Sequence, residues 1–309
     1  MSESICRKAF SDTLLQLAAE NPAIYAVTSD ARGSTTVASF AQKYPQRFVE
    51  IGIAEQNEVG VAAGLALMGK IPFVCAPGAF LSARAVEQVK VDVSYSEMNV
   101  KLIGVSAGLA YGTSGMSHYA INDFGVMRTF FGMQIFAPAD GYQTACLTKL
   151  MASENGPAYM RMGRSAVPDV YAGNETFRIG KAYTLKEGND ITIIACGKMV
   201  YHAMQAAKEL EGLGIHARVL DMFTVKPLDE AAVIKAASET KGIVTLEEHV
   251  HFGGLGEAVA AVVCRNHPVA MRMLALPDEH IISGSDNEIL NYYGINGDGA
   301  VKAAREILG

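Results

Sequence analysis

The 309-residue sequence contains no apolar run of the roughly 18 residues that a membrane-spanning helix needs, because charged residues interrupt its apolar stretches. This absence argues against a helical membrane protein. The first residues, MSESICRKAFSDTLLQLAAE, carry charges where a secretion signal would hold an apolar core. We therefore expect a cytoplasmic protein.

Clusters of basic residues are also missing. The chain has 26 Lys and Arg against 32 Asp and Glu, a formal net charge of −6, and its pI is about 5.7. A protein that binds DNA or RNA concentrates positive charge on one face or segment. The dispersed basic residues of this acidic chain argue against a nucleic-acid partner.

Cysteine is scarce and irregularly spaced. The five cysteines are odd in number, far apart and mostly set in apolar sequence: Cys6, Cys75, Cys146, Cys196 and Cys264. Their spacing fits neither a disulfide framework nor a zinc site. We predict buried free thiols and no metal bound by this chain.

The sequence does contain an alternation of predicted strands and helices, and the chain is long enough for two α/β domains. Short β-branched runs in the first half predict strands at Ile24–Thr28, Phe48–Ile51, Ile71–Ala76, Val100–Ser106, Gln134–Ala137 and Ala158–Met162. Longer segments with helical spacing predict helices near Ser4–Glu20, Ala54–Met68, Ala83–Tyr95 and Gly141–Ser153. This alternation is typical of a parallel sheet covered by helices.

A polar segment with Gly and Pro, residues 166–189, predicts a linker after a first domain of residues 1–165. The second domain, residues 190–309, repeats the rhythm. Its predicted strands are Ile191–Ala195, His216–Asp221, Gly242–Glu247 and Ala270–Leu276, and its helices lie near Tyr201–Leu213, Asp229–Ser238, Gly254–Cys264 and Gly299–Leu308. The predicted fold class is α/β, with two doubly wound domains.

Glu55 is the first candidate for chemistry. It lies in EIGIAEQNEVGVAAGLALMG, at the start of a predicted helix and directly after a strand. Parallel sheets bind ligands at the carboxyl ends of their strands. An isolated acidic residue in a first turn can also simply complement the helix dipole.

An ordered series of segments resembles the transketolase family of thiamine-diphosphate enzymes. In the first half these are GIAEQN, FVCAPGAFLSARAVEQVK, GTSGMSHYAINDFGVMRTF, FAPADGYQ and PAYMRMGR. The second half adds ITIIACGKMVYHAMQAAKEL, DMFTVKPLD and VTLEEHVHFGGLGEAV. The resemblance covers essentially the whole chain in family order. It implies a pyrimidine-binding domain followed by a transketolase carboxyl-terminal domain.

The family's diphosphate-binding domain, with a GDG segment and paired asparagines that help hold Mg²⁺, has no counterpart here. The GDG at 297–299 leads into the last helix, where Asp298 is expected to act as a helix cap. The resemblance therefore implies the carboxyl-terminal subunit of a split transketolase. A separate amino-terminal subunit would supply the diphosphate and Mg²⁺ sites, and an α2β2 heterotetramer is expected.

The resemblance also implies roles for residues at the cofactor. A family carboxylic acid at the position of Glu55 hydrogen-bonds the pyrimidine N1′ of thiamine diphosphate, which promotes the tautomer whose 4′-nitrogen acts as an internal base. Phe80 matches an aromatic residue that packs on the pyrimidine ring, although two further aromatic positions are Pro77 and Ala83 here. Asp30 is likewise expected at the cofactor.

At the substrate end, His118 matches a family histidine that assists proton transfer and contacts the donor carbonyl. Arg161 or Arg164 matches an arginine that grips the distal anion of the substrate. Ser106 and Ser114 stand where typical members have a phosphate-contacting histidine and an acidic residue that reads the sugar hydroxyls. We therefore expect a ketose donor whose hydroxyl pattern or terminal group differs from that of the common sugar phosphates, such as a branched or sulfonated sugar.

The second domain contains a group of acidic and histidine residues that could suggest a further catalytic site: Glu247, Glu248, His249 and His251. In the family, however, this domain mainly builds the dimer interface. We interpret these four residues, and His280, as structural.

The favoured function is a transferase subunit that moves a two-carbon ketol unit from a phosphorylated or otherwise anionic ketose to an aldose, and that acts only with its partner. The alternatives are the β subunit of a 2-oxo acid dehydrogenase decarboxylating component and a 1-deoxyxylulose-5-phosphate synthase-like enzyme. A catalytically silent assembly subunit is a third possibility, although an intact Glu55 and His118 argue against it.

Overall fold

Two mainly parallel sheets flanked by helices organise the chain in this computed structural model, which describes residues 2–309. The strands are β1 Glu3–Ser4, β2 Ile24–Thr28, β3 Phe48–Glu50, β4 Ile71–Pro77, β5 Lys101–Val105, β6 Gln134–Phe136, β7 Ala158–Met162, β8 Val167–Pro168, β9 Tyr183–Lys186, β10 Ile191–Ala195, β11 Ala217–Asp221, β12 Thr224–Lys226, β13 Gly242–Val250 and β14 Ala270–Leu276.

The α-helices are α1 Cys6–Glu20, α2 Ala38–Lys43, α3 Glu55–Leu67, α4 Gly78–Ala83, α5 Val86–Gln88, α6 Asp123–Arg128, α7 Gly141–Ser153, α8 Met199–Gly212, α9 Glu230–Glu239, α10 Leu255–Asn266, α11 Asp286–Tyr292 and α12 Gly297–Leu308. Short 3₁₀ turns cover Pro45–Arg47 and Gly112–Ser114, and a π-helical segment covers Val89–Tyr95. Within residues 2–309, no helix is both long and apolar enough to cross a membrane.

The first sheet has seven strands in the order β12-β6-β7-β5-β4-β2-β3, and the second has five in the order β14-β13-β10-β11-β9. Within these two sheets the strands pair in parallel except at two edges, where β12 runs antiparallel to β6 and β9 antiparallel to β11; β1 and β8 form a separate antiparallel pair. Parallel sheets of this kind are buried on both faces, which explains the apolar runs in their strands. The predicted α/β fold with two doubly wound domains is confirmed.

The two domains share their apolar core. One cluster of buried side chains joins Phe136 in the first sheet to Phe223 after β11, and the Phe177 ring lies 5.3 Å from that of Phe223. Strand β12 leaves the second domain to complete the first sheet. The domains are therefore tied together by backbone pairing as well as by packing.

Some local expectations need correction. The helix expected over Ala83–Tyr95 is broken into α4, α5 and the π-helical segment. Asp298 does not cap the last helix, because the side chain of Asn296 accepts the Gly299 amide hydrogen bond at 2.9 Å. The expected linker at 166–189 contains β8 and the edge strand β9, and the bounds at 165 and 190 stay predictions.

Candidate active site

The candidate residues of the first domain follow the carboxyl ends of neighbouring parallel strands. Asp30 follows β2, Glu55 follows β3, Phe80 follows β4, His118 lies on the long loop after β5, and Arg164 follows β7. Because these strand ends meet at one edge of the sheet, the topology gathers residues that are far apart in sequence.

Glu55 is the first residue of α3, and its side chain is only 2% exposed. Arg84 Nη1 donates a hydrogen bond of 2.6 Å to Glu55 Oε2. The Arg84 side chain is 45% exposed, so one partner of this ion pair is buried and the other reaches solvent. The sequence singled out Glu55 but not its arginine partner.

Phe80, on α4, lies between Arg84 and His118. The guanidinium carbon of Arg84 is 4.9 Å from the centre of the Phe80 ring, within the range of a cation–π contact. The His118 ring packs edge-on against Phe80, with ring centres 5.3 Å apart. Contacts thus link Glu55 through Arg84 to Phe80, and Phe80 to His118.

His118 is partly exposed and has two further neighbours. The Ser117 hydroxyl oxygen lies 2.9 Å from His118 Nδ1. The Tyr111 ring packs edge-on at a centre-to-centre distance of 5.3 Å. A hydrogen bond at Nδ1 fixes the ring orientation, and imidazole can both accept and donate a proton near neutral pH.

Arg161 does not fit the expected role as the anion grip. Its side chain is buried, with Nη1 3.1 Å from Asp123 Oδ1 and Nη2 3.5 Å from Glu248 Oε2. Burial lowers its pKa, but the charges of Asp123 and Glu248 outweigh that effect and raise the pKa above the usual arginine value. A guanidinium enclosed between two carboxylates has no charge left to offer a substrate.

Arg164 is exposed instead, and its guanidinium carbon lies 5.7 Å from the centre of the Tyr111 ring. Arg7, at the start of α1, is a neighbour that the sequence did not suggest. Burial and the nearby charge of Arg164 lower the pKa of Arg7, and its buried Nε has no hydrogen-bond partner among residues 2–309. Arg7 Nη1 donates to the Ser34 carbonyl at 2.9 Å, which is a neutral acceptor, so this hydrogen bond does not neutralise the Arg7–Arg164 pair.

The two serines that depart from the family pattern occupy different environments. Ser106 is 1% exposed, its hydroxyl has no hydrogen-bond partner in the described part of the chain, and its φ of +53° lies in the left-handed region. Ser114 is exposed at the end of a 3₁₀ turn. A buried unpaired hydroxyl on strained backbone is costly and concentrates at functional sites.

Asp30 lies on an exposed turn beside β3. Its backbone N–H donates to Glu50 Oε1 at 2.7 Å, and Arg32 Nε donates to Glu50 Oε2 at 2.8 Å. The φ of Asp30 is +55°, a conformation that Asp tolerates better than most residues. These contacts fix the turn but do not establish a cofactor contact for the Asp30 side chain.

Glu58 is a buried carboxyl that the sequence analysis missed. It lies one turn after Glu55 on α3, is fully buried, and neither carboxyl oxygen has a hydrogen-bond partner within residues 2–309. Burial raises the pKa of Glu58 to about 8; the nearby Ser29 hydroxyl opposes this rise, and the charge of Glu55 adds to it. The signal in the sequence was a second Glu at a spacing of three.

In the second domain, Glu247 accepts hydrogen bonds from the backbone N–H groups of Leu255 at 2.6 Å and Gly256 at 2.7 Å, and burial raises its pKa to about 7. Burial lowers the pKa of His249 to about 4. His251 is half-buried and His280 is exposed. No cluster of three or more metal-ligating side chains occurs among residues 2–309.

Family models match both halves of the chain. One, described as transketolase, pyrimidine binding domain, matches residues 4–170. The other, described as transketolase, C-terminal domain, matches residues 180–299. The chain belongs to the transketolase family. The resemblance seen in the sequence is thereby confirmed.

Among transketolases, the chain is similar to separately encoded subunits over nearly their whole length. It is 51% identical over 304 residues to one of the subunits of the apulose-4-phosphate transketolase of Phocaeicola vulgatus, an alignment that covers 98% of this chain and 97% of that one. It is 38% identical over 307 residues to the 6-deoxy-6-sulfo-D-fructose transketolase subunit SqwH of a Clostridium species, covering 99% and 95%.

A solved split-gene transketolase, described as an inactive β4 tetramer, superposes with a TM-score of 0.90 at 39% identity and covers 99% of each chain. The chain also aligns with rat transketolase at 35% identity, covering 98% of this chain but only 49% of that enzyme. The transketolase fold is therefore present here as a subunit-sized half, and transferase activity of the transketolase type is the family's chemistry.

Proposed function

We propose that this chain is the pyrimidine-site subunit of a two-subunit transketolase, which transfers a two-carbon ketol unit from an anionic ketose to an aldose. The observation that carries the proposal is the row of a buried carboxyl, an aromatic face and a histidine formed by Glu55, Phe80 and His118. The names of the similar full-length subunits favour a transketolase over the 2-oxo acid dehydrogenase and deoxyxylulose-phosphate synthase alternatives.

The described residues fit the pyrimidine half of thiamine diphosphate. Glu55 offers a buried carboxyl and Phe80 an aromatic face, both in contact with Arg84, and these are the groups that a flat heteroaromatic base needs at its edge and its face. The buried Ser29 hydroxyl, beside Glu58 of α3, is a further polar group in this region. When bound, thiamine diphosphate supplies the nucleophilic carbon that amino-acid side chains lack. Glu55 would hold a proton at the ring nitrogen, and Phe80 would orient the ring.

His118 and the two arginines would serve the sugar. His118 would hold or move a proton at the donor oxygen, since its imidazole lies beside Phe80 and at the partly exposed surface. Arg164, together with Arg7, would bind the anionic end of the ketose, because the charge of Arg164 lowers the pKa of Arg7 and Arg7 Nε is unpaired within the described residues. This assignment replaces Arg161, which is sealed between carboxylates.

The names of similar subunits and two serines of this chain support a proposal for the substrate class. Two similar subunits carry the names of apulose 4-phosphate and a sulfonated fructose, both anionic sugars. Ser106 and Ser114 remove a cation and an acid expected for ordinary sugar phosphates. We propose an anionic ketose whose hydroxyl pattern or terminal group differs from those of xylulose 5-phosphate and fructose 6-phosphate.

An amino-terminal subunit would complete the enzyme as an α2β2 assembly and would hold most of the diphosphate and Mg²⁺. The surface around α3 supports such a partner, because it exposes large apolar side chains just before the helix, at its carboxyl end and on the π-helical segment packed beside it. These are Ile53, Leu67, Met68, Val91 and Tyr95, which are 40% to 81% exposed. The predicted cytoplasmic location is part of the same proposal.

Calorimetric titration with thiamine diphosphate and Mg²⁺ tests this function, first on the chain alone and then on the chain mixed with its amino-terminal partner. The expected result is weak or undetectable binding by the chain alone and tight binding by the mixture, together with ketol transfer. Tight Mg²⁺-dependent binding by the chain alone would contradict the split-site proposal. A mixture that binds the cofactor but transfers no ketol unit would support a silent assembly subunit.

A further inference from the structure

The second domain supplies none of the proposed reacting groups, yet it contacts the loop that carries several of them. Residues 107–120, here called the substrate loop, connect β5 to the region of α6 and carry Tyr111, Ser114 and His118. Glu248 on β13 contacts the start of this loop, and residues 282–284 contact its middle and end.

Glu248 is held in place from several directions. The Leu109 N–H donates to Glu248 Oε1 at 2.9 Å, and Lys198 Nζ lies 2.6 Å from the same oxygen. Arg161 approaches the other carboxyl oxygen and also donates to the Glu248 carbonyl. A buried carboxylate between two cations is oriented rigidly, so its hydrogen bond to the loop has little freedom.

Gly108 shows how closely Glu248 approaches the substrate loop. A side chain at residue 108 would collide with the Glu248 carboxyl group, and the φ of Gly108 is +65°. Gly108 and Ala120 also exchange backbone hydrogen bonds of 3.1 and 3.0 Å, which close the ends of the loop. Glu248 therefore lies against the closed base of the loop.

Tyr119 forms a second contact between the substrate loop and the second domain. Its hydroxyl lies 2.5 Å from the Gly112 carbonyl oxygen and 3.1 Å from the Ile282 carbonyl oxygen. Gly112 packs so closely on Gly284 that a side chain there would meet the Gly284 carbonyl. The second domain thus holds the substrate loop at its base through Glu248 and farther along the loop through the Tyr119 hydroxyl and Gly112.

We propose that Glu248 is a positioning residue for the substrate loop, through which the second domain controls how tightly the ketose is bound. The inference rests on the proposed function, because it takes Tyr111, Ser114 and His118 to face the substrate. It replaces our structural interpretation of Glu248. The cofactor residues Glu55 and Phe80 precede the loop in sequence, and their contacts run to Arg84 and His118 rather than to Glu248.

Glu248→Gln tests the proposal, because the amide keeps the size of the side chain but removes its charge. Hydrogen–deuterium exchange of the full chain is expected to accelerate at least tenfold within residues 107–120. In the assembled enzyme, KM for the ketose is expected to rise severalfold while thiamine-diphosphate affinity stays unchanged. Glu247→Gln is the matched control, since Glu247 is the adjacent buried glutamate but binds Leu255 and Gly256 rather than the loop.

Tyr119→Phe provides a second variant that leaves the buried ion pairs intact, in case Glu248→Gln fails to fold. It is expected to accelerate exchange in residues 112–119 and to raise KM in the same way. Wild-type exchange and wild-type KM in Glu248→Gln would overturn the inference, as would equal effects in Glu247→Gln. If Glu248→Gln does not fold, a wild-type KM in Tyr119→Phe overturns it. Absence of ketol transfer by the wild-type complex would instead refute the proposed function, and the exchange experiment would still test whether Glu248 holds the loop.

Discussion

The guanidinium of Arg84 hydrogen-bonds the buried Glu55 carboxylate at 2.6 Å and also covers the ring of Phe80 at 4.9 Å. Glu55 and Phe80 are the two residues proposed to bind the edge and the face of the cofactor pyrimidine. The planar guanidinium of Arg84 therefore contacts both of the residues that the pyrimidine would contact. Because Arg84 is half-exposed, its side chain can move into solvent when the pyrimidine binds.

We predict that Arg84→Gln binds thiamine diphosphate up to about fivefold more tightly in the assembled enzyme, since a partly exposed ion pair is worth at most about 1 kcal/mol. Calorimetric titration measures the change. Arg265→Gln is the control, because Arg265 forms an exposed ion pair with Glu230 at 3.3 Å in the second domain. Weaker cofactor binding by Arg84→Gln would show that Arg84 supports the site rather than blocks it.

Glu58 predicts a pH dependence of stability. Its pKa rises from 4.5 to about 8 on folding, so the folded chain binds more protons than the unfolded chain between these values. The stabilisation is fully present below pH 4.5 and is lost as the pH rises to about 8, by up to about 1.4 kcal/mol per pH unit. Denaturant unfolding of Glu58→Gln and wild type should show Glu58→Gln gaining stability relative to wild type across this range. A constant difference between the two proteins would exclude an unusual titration of Glu58.

Replacing the two arginines of the PAYMRMGR segment one at a time should give different effects on KM and on stability. Arg164→Met is expected to raise KM for the anionic ketose about tenfold to a hundredfold with little loss of stability, because it removes one charge-assisted contact. Arg161→Met should cost about 3–5 kcal/mol of stability, since it leaves Asp123 buried without its cation and leaves Glu248 with Lys198 alone. Steady-state kinetics and denaturant unfolding distinguish them. The reverse pattern would restore Arg161 as the anion grip.

Ser114 predicts substrate preference. Ser114→Asp restores a carboxylate that accepts strong hydrogen bonds from sugar hydroxyls, so it should shift kcat/KM towards xylulose 5-phosphate and fructose 6-phosphate. The measurement is kcat/KM across a panel of ketose donors that includes branched and sulfonated sugars. If the two common phosphates are already the best donors by a wide margin and Ser114→Asp does not favour them further, the argument from Ser106 and Ser114 fails.

The regular parts of the fold could be read from the sequence, because buried parallel strands are short apolar runs with flanking helices. Strands β2, β7, β10 and β14 were predicted to the residue. Strands β9 and β12 were not, since each is a short edge strand whose partner lies far along the chain. Their pairing is decided by tertiary contacts rather than by local pattern.

The candidate site was also predictable from the sequence only in part. Glu55, Phe80 and His118 were predicted from motifs, and the structure brings them together. Arg84, Arg7 and Glu58 were missed because their significance depends on which charges surround them. The choice between Arg161 and Arg164 stayed open for the same reason, since the sequence does not show that Asp123 and Glu248 enclose Arg161.

The central claim is that Glu55 supports thiamine-dependent ketol transfer, and Glu55→Gln tests it most directly in the complex with the amino-terminal subunit. The measurement is the rate of transfer of the two-carbon unit from an anionic ketose to an aldose, with partner binding and cofactor occupancy verified for both proteins. We predict an active wild-type complex and a loss of about a hundredfold to ten-thousandfold in the variant, because an amide cannot supply the carboxylic proton. Near-wild-type turnover by a cofactor-loaded Glu55→Gln complex would contradict the account.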